Sequence, residues 1–99
     1  MTRSLIVPDW PAPGNVKALV TTRAGGVSAA PYDSLNLGAH VGDDAQAVAE
    51  NRARLKRLLP SEPTWLEQVH GTRVIDLDNL PPEPKGDAAL TRLERRVCA

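Results

Sequence analysis

His40, His70 and Cys98 are the side chains of this 99-residue chain best suited to binding a soft divalent metal. Imidazole nitrogen and thiolate sulfur are common zinc donors, and a catalytic zinc takes three such ligands while leaving a fourth position for water or substrate. His70 stands out by its place: it closes the run Trp65-Leu-Glu-Gln-Val-His70 ahead of Gly71, which reads as a short apolar strand ending in a sharp turn. A histidine before such a turn projects from the end of a sheet. Judged by residue type alone, a structural histidine is the simpler reading. Two other features carry chemistry. Glu67, on the strand leading to His70, is either an orienting carboxylate for a bound histidine or a surface residue. Arg23, followed by Ala24-Gly25-Gly26-Val27-Ser28, is either an anion-binding loop or a plain turn, and it lacks the Lys-Ser/Thr pair of a phosphate loop.

The elements that must position these residues are short. Three prolines, Pro8, Pro11 and Pro13, keep the first fifteen residues extended, with a short strand at 5–7. Val16 to Arg23 is apolar and β-branched and predicts a strand. Val27 to Gly42 lacks periodicity and reads as a long functional loop. Asp43 or Asp44 opens the one strong helix, which should run to about Leu59 and stop at Pro60, with Gln46 at capping-box spacing from Asp43. Ala45, Val48, Arg52, Leu55 and Leu58-Leu59 fall near one face. Thr64–Val69 and Arg73–Leu77 predict two strands joined by a tight turn at Gly71-Thr72. Pro81 to Gly86 is a connector. Read alone, Asp87 to Val97 has helical spacing at Leu90, Leu93 and Val97.

Composition narrows the classes. Hydrophobic residues make up 41% of the chain and there is no Phe, so a modest core must rest on Leu, Val, Ile and Ala. Twelve basic and twelve acidic residues cancel, which argues against nucleic acid or an anionic membrane as partner. The locally basic Arg92–Arg96 stretch is interrupted by Glu94 and has no aromatic platform. A single cysteine excludes an internal disulfide and suits a reducing compartment. No signal peptide or membrane span is legible near the N-terminus, so a cytoplasmic location is expected.

Four stretches, in order, resemble one bacterial family: Leu5–Trp10, Thr21–Ser28, Tyr32–Asp43 and Trp65–Gly71. Glu50-Asn51-Arg52 and Gly86-Asp87-Ala88-Ala89 also match. Together they resemble the YfiH family, also called the laccase-domain, multicopper polyphenol oxidase or peptidoglycan editing factor (PgeF) family. The resemblance covers nearly the whole chain. It implies an α/β fold, an α+β sandwich of the YfiH type, of which residues 1–99 are the N-terminal part of a single domain. It also implies that Asp87 to Ala99 forms strand, turn and the start of another strand in place of the helix.

Family members are much longer and bind one zinc (copper in some accounts) through two histidines and a cysteine. The first ligand lies in the Gln-Val-His-Gly motif, here Gln68-Val69-His70-Gly71, so the resemblance makes His70 a metal ligand and a catalytic residue. The motifs of the other two ligands do not occur in this sequence, which therefore resembles a member cut short before them. His40 and Cys98 do not complete the set: His40 is a recurrent loop position with no ligand role to transfer, and Cys98 matches a strand cysteine expected to be buried. Arg23 and Asn36 are the candidate substrate-binding residues.

The activity the resemblance implies is phosphorolysis of purine nucleosides (adenosine, inosine or methylthioadenosine) to base and ribose phosphate, with adenosine deamination beside it and a link to peptidoglycan precursor editing. The alternative is a copper-dependent, laccase-like phenol oxidase. Two histidines are few for multicopper electron transfer, and zinc has no redox chemistry, so nucleoside chemistry ranks first. A third reading concerns the 99 residues by themselves: a catalytically incomplete unit that folds or binds a partner without turnover. The unpaired sheet edge such a unit would carry predicts self-association.

Overall fold

The computed structural model describes residues 5–99. Its elements are α1 (Ala45–Lys56), β1 (Val74–Asp76), a 3-10 turn (Leu77–Asn79) and β2 (Ala88–Leu90). The chain divides into two compact units, the first ending at Ala53 and the second starting at Arg54.

In the first unit, the strand expected over Val16–Arg23 shows, among the described residues, one antiparallel bridge, between Ile6 and Val20. Each amide of that pair donates to the other's carbonyl, at 2.8 and 2.7 Å. In an antiparallel ladder the next hydrogen-bonded pair lies two residues along, at Pro8 and Ala18, and Pro8 has no N–H to give. The ladder stops there. The long segment that follows folds back on itself: Ser34 and Leu35 amides both donate to the Arg23 carbonyl, and Ser28 N–H donates to the Ser34 carbonyl.

α1 starts one residue after Asp44, whose carboxylate accepts from the Ala47 amide at 3.3 Å and caps the helix. Asp43 accepts from the Asp44 amide with one oxygen, and its other oxygen serves the loop instead of the helix. The helix ends at Lys56, three residues short of the expected limit. Leu58 and Leu59 amides then close onto Leu55 and Lys56 carbonyls in a tighter turn before Pro60. Val48 and Asn51 are buried from the helix in the first unit, with Leu35 and Ser28 from the loop.

The second unit corrects the expected hairpin. Thr64–Val69 and Arg73–Leu77 do not pair with each other. β1 pairs in parallel with β2, in the register Val74↔Ala88, Ile75↔Ala89 and Asp76↔Leu90. Upstream, Thr64 bridges Cys98 and Glu67 bridges Lys85, both in parallel. The reason lies at the turn. A two-residue hairpin loop of the favoured type needs positive φ at its central residues. The left-handed residue here is His70 (φ 56°), and neither Gly71 nor Thr72 has positive φ. The chain therefore leaves His70 in a direction that sends Arg73–Leu77 to a different partner.

The final segment is strand, turn and bridge, as the family resemblance implied, and not the helix that spacing alone suggested. Gly86 is buried beside β1: a Cβ there would lie 2.7 Å from Ile75 Cγ1. Leu55, Ile75 and Leu77 form the buried apolar set of this unit. Among the described residues no helix is long and apolar enough to cross a membrane.

Candidate functional site

His70 is exposed and holds its left-handed backbone between two anchored neighbours. The Val69 amide donates to Asp87 Oδ1 at 3.2 Å and the Gly71 amide to Asp87 Oδ2 at 2.9 Å. One carboxylate thus brackets the histidine from both sides. Asp87 is itself fixed by its own amide, which donates to the Arg73 carbonyl at 2.9 Å, and by its place between buried Gly86 and strand β2. Residue 70 is in a region that costs a non-glycine residue about 1–2 kcal/mol. Histidine tolerates it better than most side chains do. Among the described residues the imidazole has no hydrogen-bond partner, so both ring nitrogens are open to a ligand.

Glu67, three residues earlier, sits 3.9 Å from the Lys85 ammonium at the surface. Its carboxylate is committed to that exposed pair, in keeping with the surface reading. Cys98 belongs to the bridge with Thr64, as the strand expectation had it, but it is exposed rather than buried. Successive strand residues face opposite ways, and the half-buried neighbour is Val97. Local desolvation of the thiol, then the Asp78 carboxylate, raise the Cys98 pKa against a smaller lowering by Arg96. That favours the neutral thiol in the metal-free chain. Among the described residues no group of three His, Cys, Asp or Glu side chains converges to hold a metal ion. The residues present therefore offer one open imidazole and not a complete zinc centre.

Arg23 and Asn36 lie in the first unit. The Arg23 guanidinium donates to the Asp33 carboxylate at 3.1 Å and to the Asp33 carbonyl at 3.0 Å, and its side chain is 76% exposed. The loop after it is not an anion cradle. The amides of Ala24, Gly26, Val27 and Ser28 donate to Thr22 Oγ1, Ser34 Oγ, Asn51 Oδ1 and the Ser34 carbonyl respectively. Asn36 is tied into a polar network: its Nδ2 donates to Asp43 Oδ2 at 3.1 Å, and its carbonyl accepts from Asn51 Nδ2 at 2.8 Å. Ser28 Oγ donates to the same Asp43 oxygen at 2.6 Å. That hydroxyl is the main reason the Asp43 carboxyl titrates below its ordinary range. His40 is exposed in the same loop.

Sequence reasoning did not single out Asn51 or Asp87. Both stood in stretches that carried the family resemblance, Glu50-Asn51-Arg52 and Gly86-Asp87-Ala-Ala. The signal for Asn51 was a polar residue on the core face of the helix, between Val48 and Leu55.

The model of multi-copper polyphenol oxidoreductase laccases matches residues 17–99. The chain belongs to this laccase family. The purine nucleoside phosphorylase YfiH of Escherichia coli K12 is 54% identical over 98 residues, covering 96% of this chain and 40% of that protein. The purine nucleoside phosphorylase PA4543 of Pseudomonas aeruginosa is 63% identical over 73 residues, covering 74% of this chain and 30% of its own. The fold agrees. The crystal structure of the Neisseria meningitidis DUF152 protein NMB0706 superposes with a TM-score of 0.81 at 41% identity, covering 94% of this chain and 39% of that one. YlmD of Geobacillus stearothermophilus superposes at 0.66 with 31% identity, over 79% of this chain and 34% of its own. The laccase-family chain is therefore α/β in class, and it spans less than half the length of these relatives.

Proposed function

We propose that this chain is the N-terminal part of one longer laccase-like domain whose activity is purine nucleoside phosphorolysis. The observation that supports this most directly is the 54% identity to a protein named purine nucleoside phosphorylase, over 96% of the chain. In that reaction a phosphate oxygen bonds to the anomeric carbon of the sugar, the glycosidic C–N bond breaks, and the base leaves with a proton. His70 is the proposed metal ligand and catalytic residue, an open imidazole on a braced turn. The metal is zinc, with copper the alternative, and its other donors come from outside the described residues. Arg23 is the proposed phosphate contact and Asn36 the proposed nucleoside contact. Asp33 already neutralises Arg23 in part, so Arg23 serves an anion only if the phosphate outcompetes or joins that exposed pair.

Adenosine deamination, a role in peptidoglycan precursor editing and a cytoplasmic location belong to the same proposal. Phenol oxidation is the second reading, kept because the matching family is described by that chemistry. By themselves the 99 residues are, on this proposal, a folding or partner-binding unit without turnover.

The test is a chimera in which this chain replaces the matching 40% of the Escherichia coli protein. Phosphate-dependent release of hypoxanthine from inosine, with no oxidation of a phenol, is the expected result. Base release that ignores phosphate, or oxidation of the phenol alone, would overturn the reading.

A further inference from the structure

We propose that Asp87 is the positioning residue for His70, setting the backbone geometry from which the imidazole meets a metal. The proposal rests on the reading of His70 as a ligand. Asp87 sits one residue before β2, and the β1–β2 register brings its amide to the Arg73 carbonyl at 2.9 Å. From that fixed point its two carboxylate oxygens reach the two amides on either side of His70, one each, at 3.2 and 2.9 Å. Both bonds are charge-assisted, which makes them stronger than neutral ones. They close a loop across eighteen and sixteen residues of sequence.

The bracket matters because residue 70 has φ 56°. A histidine free to relax would return to negative φ, swinging the Cα–Cβ bond and with it the ring. The sheet thus fixes Asp87, Asp87 fixes the turn, and the turn sets the histidine. This chain of contacts lies wholly within the second unit. It gives the Gly86-Asp87 pair a reason for its residue types: glycine because a Cβ would strike Ile75, and aspartate because two acceptors on a short stem are needed.

Nuclear magnetic resonance on the metal-free 99-residue chain tests this. Asp87→Ala should speed hydrogen exchange at the Val69 and Gly71 amides by about tenfold or more. It should also shift the His70 backbone and ring resonances in the absence of zinc. The Glu67 and Gly86 amides, which bond to Pro84 and Glu67 carbonyls, should keep their protection. Asp87→Asn, which keeps one acceptor oxygen, should restore protection at one of the two flanking amides and return the His70 resonances part of the way. If Asp87→Ala unfolds the unit, so that Glu67 and Gly86 also lose protection, the Asn variant decides. His70 resonances in that variant identical to the parent's would overturn the proposal, as would unchanged Val69 and Gly71 exchange in a folded Asp87→Ala. An unchanged zinc content in the His70→Ala variant of the chimera with the Escherichia coli protein would overturn the ligand reading itself, whatever the amides show.

Discussion

Asn51 Nδ2 donates to the Ser28 hydroxyl at 2.8 Å, joining the middle of α1 to a loop twenty-three residues earlier. The same amide group donates to the Asn36 carbonyl, and its Oδ1 accepts from the Val27 amide. Asn51 is completely buried, so no water replaces it. Asn51→Ala should therefore strand several buried polar groups and cost about 3 kcal/mol. Urea denaturation checks this, and a loss below about 0.5 kcal/mol would mean the network is not what holds the loop.

The Asp43 carboxyl is held below its ordinary value of 3.8, first by the Ser28 hydroxyl, with burial opposing and the Asn36 and Asp44 donors assisting. A carboxyl depressed in the folded state stabilises it fully above the unfolded pKa, and the benefit disappears as pH falls through the folded value. Stability should hold down to about pH 4 and then drop. Asp43→Asn should flatten part of that drop. Asp78 contributes the same sign in the second unit, held down chiefly by the Thr91 hydroxyl, so the remainder should persist until Asp78 is also replaced. Thermal melts across pH 2 to 6 on both variants measure it, with each range about as wide as the titrations require.

Gly86→Ala should loosen the second unit. The added methyl would meet Ile75 Cγ1 at 2.7 Å and the Arg73 carbonyl oxygen at 3.1 Å, so β1 must shift away from the segment leading into β2. Overpacking of this kind costs about 1–3 kcal/mol. Faster exchange at the Asp87 amide, which bonds to Arg73, is the local sign to look for.

Self-association is the expected behaviour of the isolated chain. Val7, Trp10, Val69 and Val74 are half or more exposed, and among the described residues the sheet of the second unit has two strands, each with an unpaired edge. Such edges accept further strands. Sedimentation velocity should show concentration-dependent species. A sharp monomer with a cooperative melt would contradict this.

Much of the helix was legible in the sequence, because Asp44 and Pro60 bound it and its apolar spacing is regular. The parallel pairing of β1 with β2 was not. Adjacent apolar segments suggest a hairpin by proximity, and only the left-handed backbone of His70, invisible in its residue type, sends them apart. The Val16–Arg23 ladder stops on the Ala18 side of Val20 for a reason that was legible after the fact: Pro8 faces the position where it would continue. The candidate site was legible as a motif around His70. Its bracing by Asp87 was not, since a contact across sixteen residues leaves no local periodicity to read.

Zinc content of the chimera with Escherichia coli YfiH, measured by elemental analysis beside its His70→Ala variant, tests the central claim most directly. Close to one zinc per chain is expected in the first and a clear loss in the second, with the fold of both intact by circular dichroism. Equal zinc in the two proteins would show that His70 is not a ligand, and the functional reading built on it would fall.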